Sequence, residues 1–307
     1  MFLFNPIKQL IDNKIDIKLK IFYFSLEMSK QEKMLSAFCN ILFVNENIRI
    51  SPKELISTRK EKILDESIIK KIESYQPYFD KIEEIVEFID DVRNPTGIGK
   101  IMYNYAKENG KIITRKVKYK NAENEIEVFD KYIPNNPEEY VMCIVDHISL
   151  ISTESDGTKK LNLHESIVKL SSEYFVKLRN NFNYIPVVIQ QQASAQESVE
   201  NLKANRLKPT LDGLGDCKLT QRDCNVALGL FSPFRHNIKE YFGYDITKFK
   251  DNIRFLEVLA SRSGGGNTVC PLYFDGAVNY FKELCKPNNS LVIEKYYQLI
   301  KKNESIK

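Results

Sequence analysis

The sequence predicts an α/β fold built on a mostly parallel sheet flanked by helices. Three observations carry that expectation. Val141 to Val145 are apolar without a break, which suits a strand buried on both faces of a parallel sheet, and an acid, Asp146, follows at once. Two other apolar runs end in polar residues: Ile21–Phe24 leads to Glu27, and Val187–Ile189 leads to Gln190, Gln191 and Gln192. Strand-like runs also alternate with helix-like ones along the chain.

Taken in order, residues 2–14 read as the end of a helix without a beginning, and residues 20–25 as a strand. Ser29 and Glu32 form a capping-box pattern ahead of the stripe Met34, Leu35, Phe38 and Leu42. Ser51, Pro52 and Glu54 open a second helix, with proline at its first position. The charged segment 51–84 reads as a solvated helical pair, 86–90 as a strand, Pro95-Thr96-Gly97 as a turn and 98–109 as a helix. Residues 110–139 mix Ile, Lys and Val with Pro134-Asn135-Asn136-Pro137 and read as an excursion that returns to the central strand. Asn162 and Glu165 cap a helix carrying Ile167, Leu170, Tyr174 and Leu178 on one face. Strands are expected at 185–190, 226–231 and 255–260, with a long polar stretch over 191–222. A Gly-rich tip follows at 264–266, then a hairpin turn at Asp275-Gly276 and a charged helix from Asn289.

Composition sets the outer bounds. The chain has 307 residues, 43% hydrophobic and 28% charged, long enough for a sizeable core. Its net charge of +4 permits a nucleic-acid partner without arguing strongly for one. Six scattered cysteines form no CxxC pair and three histidines form no HExxH motif, so a zinc site is not expected. Cys39 and Cys143 sit in apolar runs, as buried thiols in a reducing compartment do. No apolar run approaches membrane-spanning length, and the first residues lack the pattern of a signal peptide.

In a parallel sheet the three polar ends point to one edge, where ligands of open α/β sheets bind. An acid that polarises water, an acid that holds Mg²⁺ through water and an amide that senses a phosphate suit a site of nucleotide hydrolysis. Each residue has a plainer reading as well. Glu27 is equally an acid serving a helix dipole, Lys218 a solvated lysine and Arg262 a charge at a hairpin tip.

The segment Phe24-Ser25-Leu26-Glu27-Met28-Ser29 resembles the FSLEMS segment of hexameric replicative DNA helicases of the DnaB type. The likeness continues in order from about residue 20 to 275. The strand ending at Asp146 is similar to the family's Walker B strand, and Ile185 to Val188 followed by Gln192 to its sensor glutamine segment. Leu211 to Phe231 resembles its DNA loop and the next strand, and Leu259 to Phe274 its arginine-finger hairpin. The resemblance implies a RecA-like P-loop NTPase core with a mostly parallel sheet, flanking helices and a C-terminal β-hairpin. On that basis residues 1–285 form the ATPase domain without its P-loop strand and loop, with helical or irregular insertions at 51–84 and 110–139. Residues 286–307 form a helical tail.

The resemblance also implies roles. Glu27 orients the attacking water, Asp146 holds Mg²⁺ through water, Gln192 couples the γ-phosphate of ATP to the DNA loops, and Arg262 reaches a neighbouring subunit's site. Gly215, Asp216 and Lys218 lie on the loop that tracks single-stranded DNA. The implied assembly is a homohexamer with primase as a further partner, in the cytoplasm of a cell or, given the phage-like Lys, Asn and Ile richness, of a phage host. Two positions depart from the family pattern: Ala260 stands where a lysine precedes the finger, and Gly215 where arginine is frequent. The largest departure is the phosphate loop. GxxxxGK[ST] does not occur, and Gly97-Ile98-Gly99-Lys100 lacks its spacing. The expectation is an N-terminally truncated helicase. Its rival is a non-catalytic RecA-fold assembly or DNA-binding module, and FSLEM argues against a recombinase of the same fold.

Overall fold

The computed structural model describes residues 4–57, 64–118, 124–193, 198, 200–201, 207–266 and 268–305. Instead of one domain with an appended tail, the chain divides into two compact units. Met1–Lys30 and Ser74–Gln191 form the first, and Gln31–Glu73 and Gln192–Lys307 the second.

The first unit holds a four-stranded sheet, parallel throughout. In spatial order its strands are β2 (Val86–Ile89), β1 (Lys18–Ser25), β5 (Glu139–Asp146) and β6 (Ile185–Val188). The unbroken apolar runs take the two central places because only there are both faces covered: Ile21, Phe22, Phe24, Cys143, Ile144 and Val145 are buried. β1 and β5 pair from Lys18↔Glu139 to Ser25↔Asp146, so both strands end level.

Helices α1 (Phe4–Asn13), α5 (Gln76–Ile85) and α6 (Pro95–Glu108) belong to this unit. The stretch expected as a turn, Pro95-Thr96-Gly97, is the first turn of α6, because proline's fixed φ suits position N1. Glu154 supplies the cap from a distance, accepting from Thr96 N–H at 3.0 Å, Thr96 Oγ1 at 2.6 Å and Asn94 Nδ2 at 2.7 Å. Gly99 lies where a Cβ would meet the Tyr174 ring at 2.2 Å, so the glycines of this segment serve helix packing.

The Asn162–Glu165 capping box forms as expected and opens α7 (Leu163–Val168). A π-helical turn (Lys169–Phe175) joins it to α8 (Val176–Phe182). The wider turn shifts the buried stripe by one residue, so Ile167 and Leu170 are followed inward by Phe175 rather than Tyr174.

Residues 110–139 differ from the irregular or helical insertion expected. β3 (Gly110–Val117) and β4 (Ile126–Pro134) pair antiparallel. β-branched residues alternating with lysines and acids follow a period of two, which suits a half-exposed strand. Segment 51–84 is broken into α3 (Pro52–Leu55), α4 (Glu66–Ser74) and α5, with 58–63 outside the described residues. The Ser51–Glu54 capping box is present.

The second unit carries α2 (Lys30–Glu46) from Gln31 onward and an antiparallel sheet. Its strands are β7 (Val226–Phe231), β10 (Ile253–Ser261), β11 (Val269–Asp275) and β12 (Tyr280–Glu283), in the order β12–β11–β10–β7. The turn after Asp275 joins the last two strands, as expected. Two-residue strands β8 (Glu240–Tyr241) and β9 (Tyr244–Asp245) pair ahead of β10. Phe231, Phe249, Phe255 and Tyr273 centre the core. The C-terminal helix (Ser290–Ser305) contributes Ile293, Tyr297 and Ile300, whose spacing of four and three makes one helical stripe. Among the described residues no helix is long and apolar enough to cross a membrane.

Candidate active site

The level ends of β1 and β5 bring two of the expected site residues together. Ser25 is paired with Asp146, Leu26 N–H donates to Asp146 O at 2.8 Å, and Glu27 follows. The turn after β1 is tied by Ser25 Oγ, which donates to Met28 O. The Glu27 side chain is 57% exposed, so its carboxylate is open to solvent at this edge.

Two neighbours were not singled out from the sequence. Tyr23, on the same face of β1 as Ser25, donates its hydroxyl to Asp146 Oδ2. Burial raises the Tyr23 pKa, and the hydrogen bond to Asp146 with the charges of Asp146 and Glu27 raises it further, so the phenol stays a donor. The strand alternation that places Tyr23 and Ser25 on one face could have revealed it. His147 follows Asp146 through a cis peptide bond. Its Nε2 lies 3.9 Å from Glu27 Oε2, while its buried Nδ1 has no hydrogen-bond partner. Nothing in the apolar pattern distinguishes that histidine from a core residue.

The remaining expected residues belong to the second unit. Gln192 is bound to the backbone of Thr210: its Nε2 donates to Thr210 O at 3.2 Å and its Oε1 accepts from Thr210 N at 3.4 Å. It also forms a β-bridge with Leu214, and Ala193 N–H donates to Gly213 O at 2.7 Å. Just beyond, Asp216 adopts a left-handed φ of 55°. Cys217 is buried between exposed Asp216 and Lys218. Gly215 accepts from Cys217 N–H across this tight turn, and the left-handed position is the aspartate rather than the glycine. Arg262 lies just past β10. Its N–H donates to Asn225 O at 2.9 Å and its guanidinium to Arg222 O, tying the strand end to the segment before β7.

Among the described residues no group of three or more His, Cys, Asp or Glu could enclose a metal alone. Mg²⁺ held largely through water needs only one or two carboxylates, and Asp146 beside Glu27 fits that need. A nucleotide's phosphates need a glycine loop and lysine, and none of the 307 residues forms one. The residues present therefore fit the metal and the attacking water, and not the phosphate cradle.

No family model and no curated protein matches the sequence. Solved structures do. A DnaB-like replicative helicase, described together with its interactions with primase, aligns with a TM-score of 0.62 at 14% identity over 91% of this chain and 54% of its own. A second solved structure, an ATPase domain determined by itself, aligns with a TM-score of 0.61 at 14% identity, over 91% of this chain and 78% of its own. The chain thus spans about half the length of the first. The fold is the RecA-like α/β fold with a mostly parallel sheet. It is the fold found in the ATPase domains of DnaB-like helicases.

Proposed function

We propose that the chain is a helicase ATPase domain that couples ATP hydrolysis to translocation on single-stranded DNA and to duplex unwinding. The observation that carries this reading is the Ser25↔Asp146 register, which sets Glu27 and Asp146 at one carboxyl edge of a parallel sheet. Asp146, oriented by Tyr23, holds Mg²⁺ through water. Glu27 accepts the proton of the attacking water, which its solvent-open carboxylate can reach. ATP with Mg²⁺ supplies the transferable phosphoryl group and the charge neutralisation. Gln192, bonded to Thr210, carries a change at the nucleotide toward the loop of Gly215, Asp216 and Lys218, which follows the DNA phosphates. Arg262 acts on a neighbouring subunit of a homohexamer, and primase is a further partner.

A second reading, a RecA-fold module without catalysis, is favoured by the missing GxxxxGK[ST] and by the bond that holds the Arg262 guanidinium. One experiment separates the two. A strand and GxxxxGK[ST] loop are fused ahead of Phe4, and ATP turnover is measured with and without single-stranded DNA. The unfused chain is expected to turn over negligibly and the fusion to turn over with DNA stimulation. Glu27→Gln in the fusion is expected to abolish turnover and spare nucleotide binding. Nucleotide binding by the fusion with no turnover would support the second reading.

A further inference from the structure

The first unit has a second chemical site at the amino end of its sheet, the end opposite Glu27 and Asp146. A cavity of about 200 Å³ opens there, lined among others by Tyr132, Phe182, Tyr184, Glu139 and Asn181. Three rings form a continuous wall: the centroids of Tyr132 and Phe182 lie 5.1 Å apart, of Phe182 and Tyr184 5.7 Å, and of Tyr132 and Tyr184 6.4 Å. Local chain geometry builds this wall. Asn183, left-handed at φ 57°, ends α8 between Phe182 and Tyr184. Gly110 leaves room for Tyr132, since a Cβ there would lie 2.4 Å from that ring.

Glu139 supplies the charge. Its side chain is only 6% exposed, and its two partners, Tyr105 Oη at 2.9 Å and Lys18 Nζ at 3.0 Å, both bind Oε1. Oε2 takes neither. The Lys18 side chain is 58% exposed, a surface ammonium covering a buried carboxylate from one side. A carboxylate among aromatic rings is costly to bury and attracts a cation, and ring faces attract the same cation. The Tyr184 hydroxyl is enclosed without a hydrogen bond of good geometry, although the Tyr132 hydroxyl is near enough to interact with it. Burial raises the pKa of Tyr105, Tyr132 and Tyr184, so no phenolate adds to the negative charge. Phosphate groups are disfavoured by Glu139. The volume falls below that of usual cofactor sites and suits one side-chain head.

We propose that this cavity docks a single cationic side chain, an arginine guanidinium presented by a partner protein, against the Tyr132, Phe182 and Tyr184 rings and Glu139 Oε2. A guanidinium suits it better than an ammonium because it is planar, weakly hydrated and stacks on aromatic faces. The site is independent of the nucleotide reading, and loss of one leaves the other untouched.

The test is calorimetric titration of the chain with N-acetyl-arginine methylamide, its uncharged citrulline counterpart and its lysine counterpart. Arginine is expected to bind saturably, and citrulline about tenfold or more weakly, as the loss of a charge-assisted hydrogen bond implies. Glu139→Gln should weaken arginine by a similar factor. Lys18→Ala, a change at an exposed side chain, should tighten it, because the competing ammonium is gone. Resonances of labelled Tyr132 and Tyr184 should move with the same saturation. Equal binding of arginine and citrulline, or arginine affinity unmoved by both Glu139→Gln and Lys18→Ala, would overturn the proposal. So would the absence of saturable arginine binding to the original chain and to Lys18→Ala, or tighter binding of the lysine counterpart.

Discussion

Tyr23 donates to Asp146 from the neighbouring strand, two register positions before the Ser25–Asp146 pair. The bond joins a buried phenol to the carboxylate proposed to hold the metal. Burial together with Asp146 keeps Tyr23 protonated above its ordinary value of 10.0. A raised folded-state pKa favours the folded chain fully below the unfolded value, and that contribution is lost as pH rises toward the folded value. Asp146→Asn should therefore lower the Tyr23 pKa part of the way back, since burial remains, and should bring the onset of alkaline destabilisation to lower pH. Tyrosine-labelled NMR titration reads it, and an unmoved Tyr23 would separate the two residues.

Glu154 is the acid-side counterpart. Burial pushes its carboxyl up, but Lys169 at 2.6 Å, Thr96 and Asn94 outweigh this and bring the pKa down to about 2. A depressed pKa contributes stability above the ordinary carboxylate value of 4.5, and that stability is lost as pH falls toward 2. Glu154→Gln is expected to cost about 2 kcal/mol at neutral pH and to flatten this acid dependence, measured by urea unfolding across the range.

In the second unit Arg49 forks onto Asp275, with Nε to Oδ2 at 2.6 Å and Nη2 to Oδ1 at 2.9 Å. Asp275 is 1% exposed, so Arg49→Met leaves a buried charge without its partner, at a cost of about 3 kcal/mol or more. Arg49→Lys should restore little, because an ammonium cannot fork. Adding Asp275→Asn to Arg49→Met should recover part of the loss in denaturant unfolding.

Arg262 is tested by mixing subunits of the P-loop fusion. A finger acting on the next subunit contributes on the order of 10³-fold to turnover. Arg262→Ala subunits alone should be inactive. Mixed with Glu27→Gln subunits they should regain activity, because some interfaces then pair an intact base with an intact arginine. If Arg262 serves only to hold Arg222 and Asn225, ATPase rate stays near zero at every mixing ratio while hexamers persist by mass.

The residues that make up the sheet were legible because burial on both faces demands unbroken apolar runs, and the level ends of β1 and β5 followed from the polar residues that close them. Tyr23 and His147 were not, since hydrogen bonding of a core tyrosine and an enclosed imidazole leaves no mark on an apolar pattern. The β3–β4 pair was misread because its Ile, Val and Lys alternation is broken by a register shift between Ile113 and Thr114. Gly97 and Gly99 looked like part of a phosphate loop until Asn94, Val92 and Tyr174 were seen against them. The amide bonds of Gln192 could not be anticipated, because they join it to backbone 18 residues away.

The bond between Tyr23 and Asp146 closes a span of 123 residues. Contacts so distant along the chain carry a large loop-closure entropy, and chains dominated by them fold slowly. The β3–β4 hairpin lies inside that span and needs only local closure, so it can form first and shorten the effective loop that β1 and β5 must close. The carboxylate edge then assembles only when β5 docks beside β1. During synthesis Glu27 leaves the ribosome long before Asp146, and no partly made chain holds both acids in place. Premature hydrolysis is thereby excluded by topology alone.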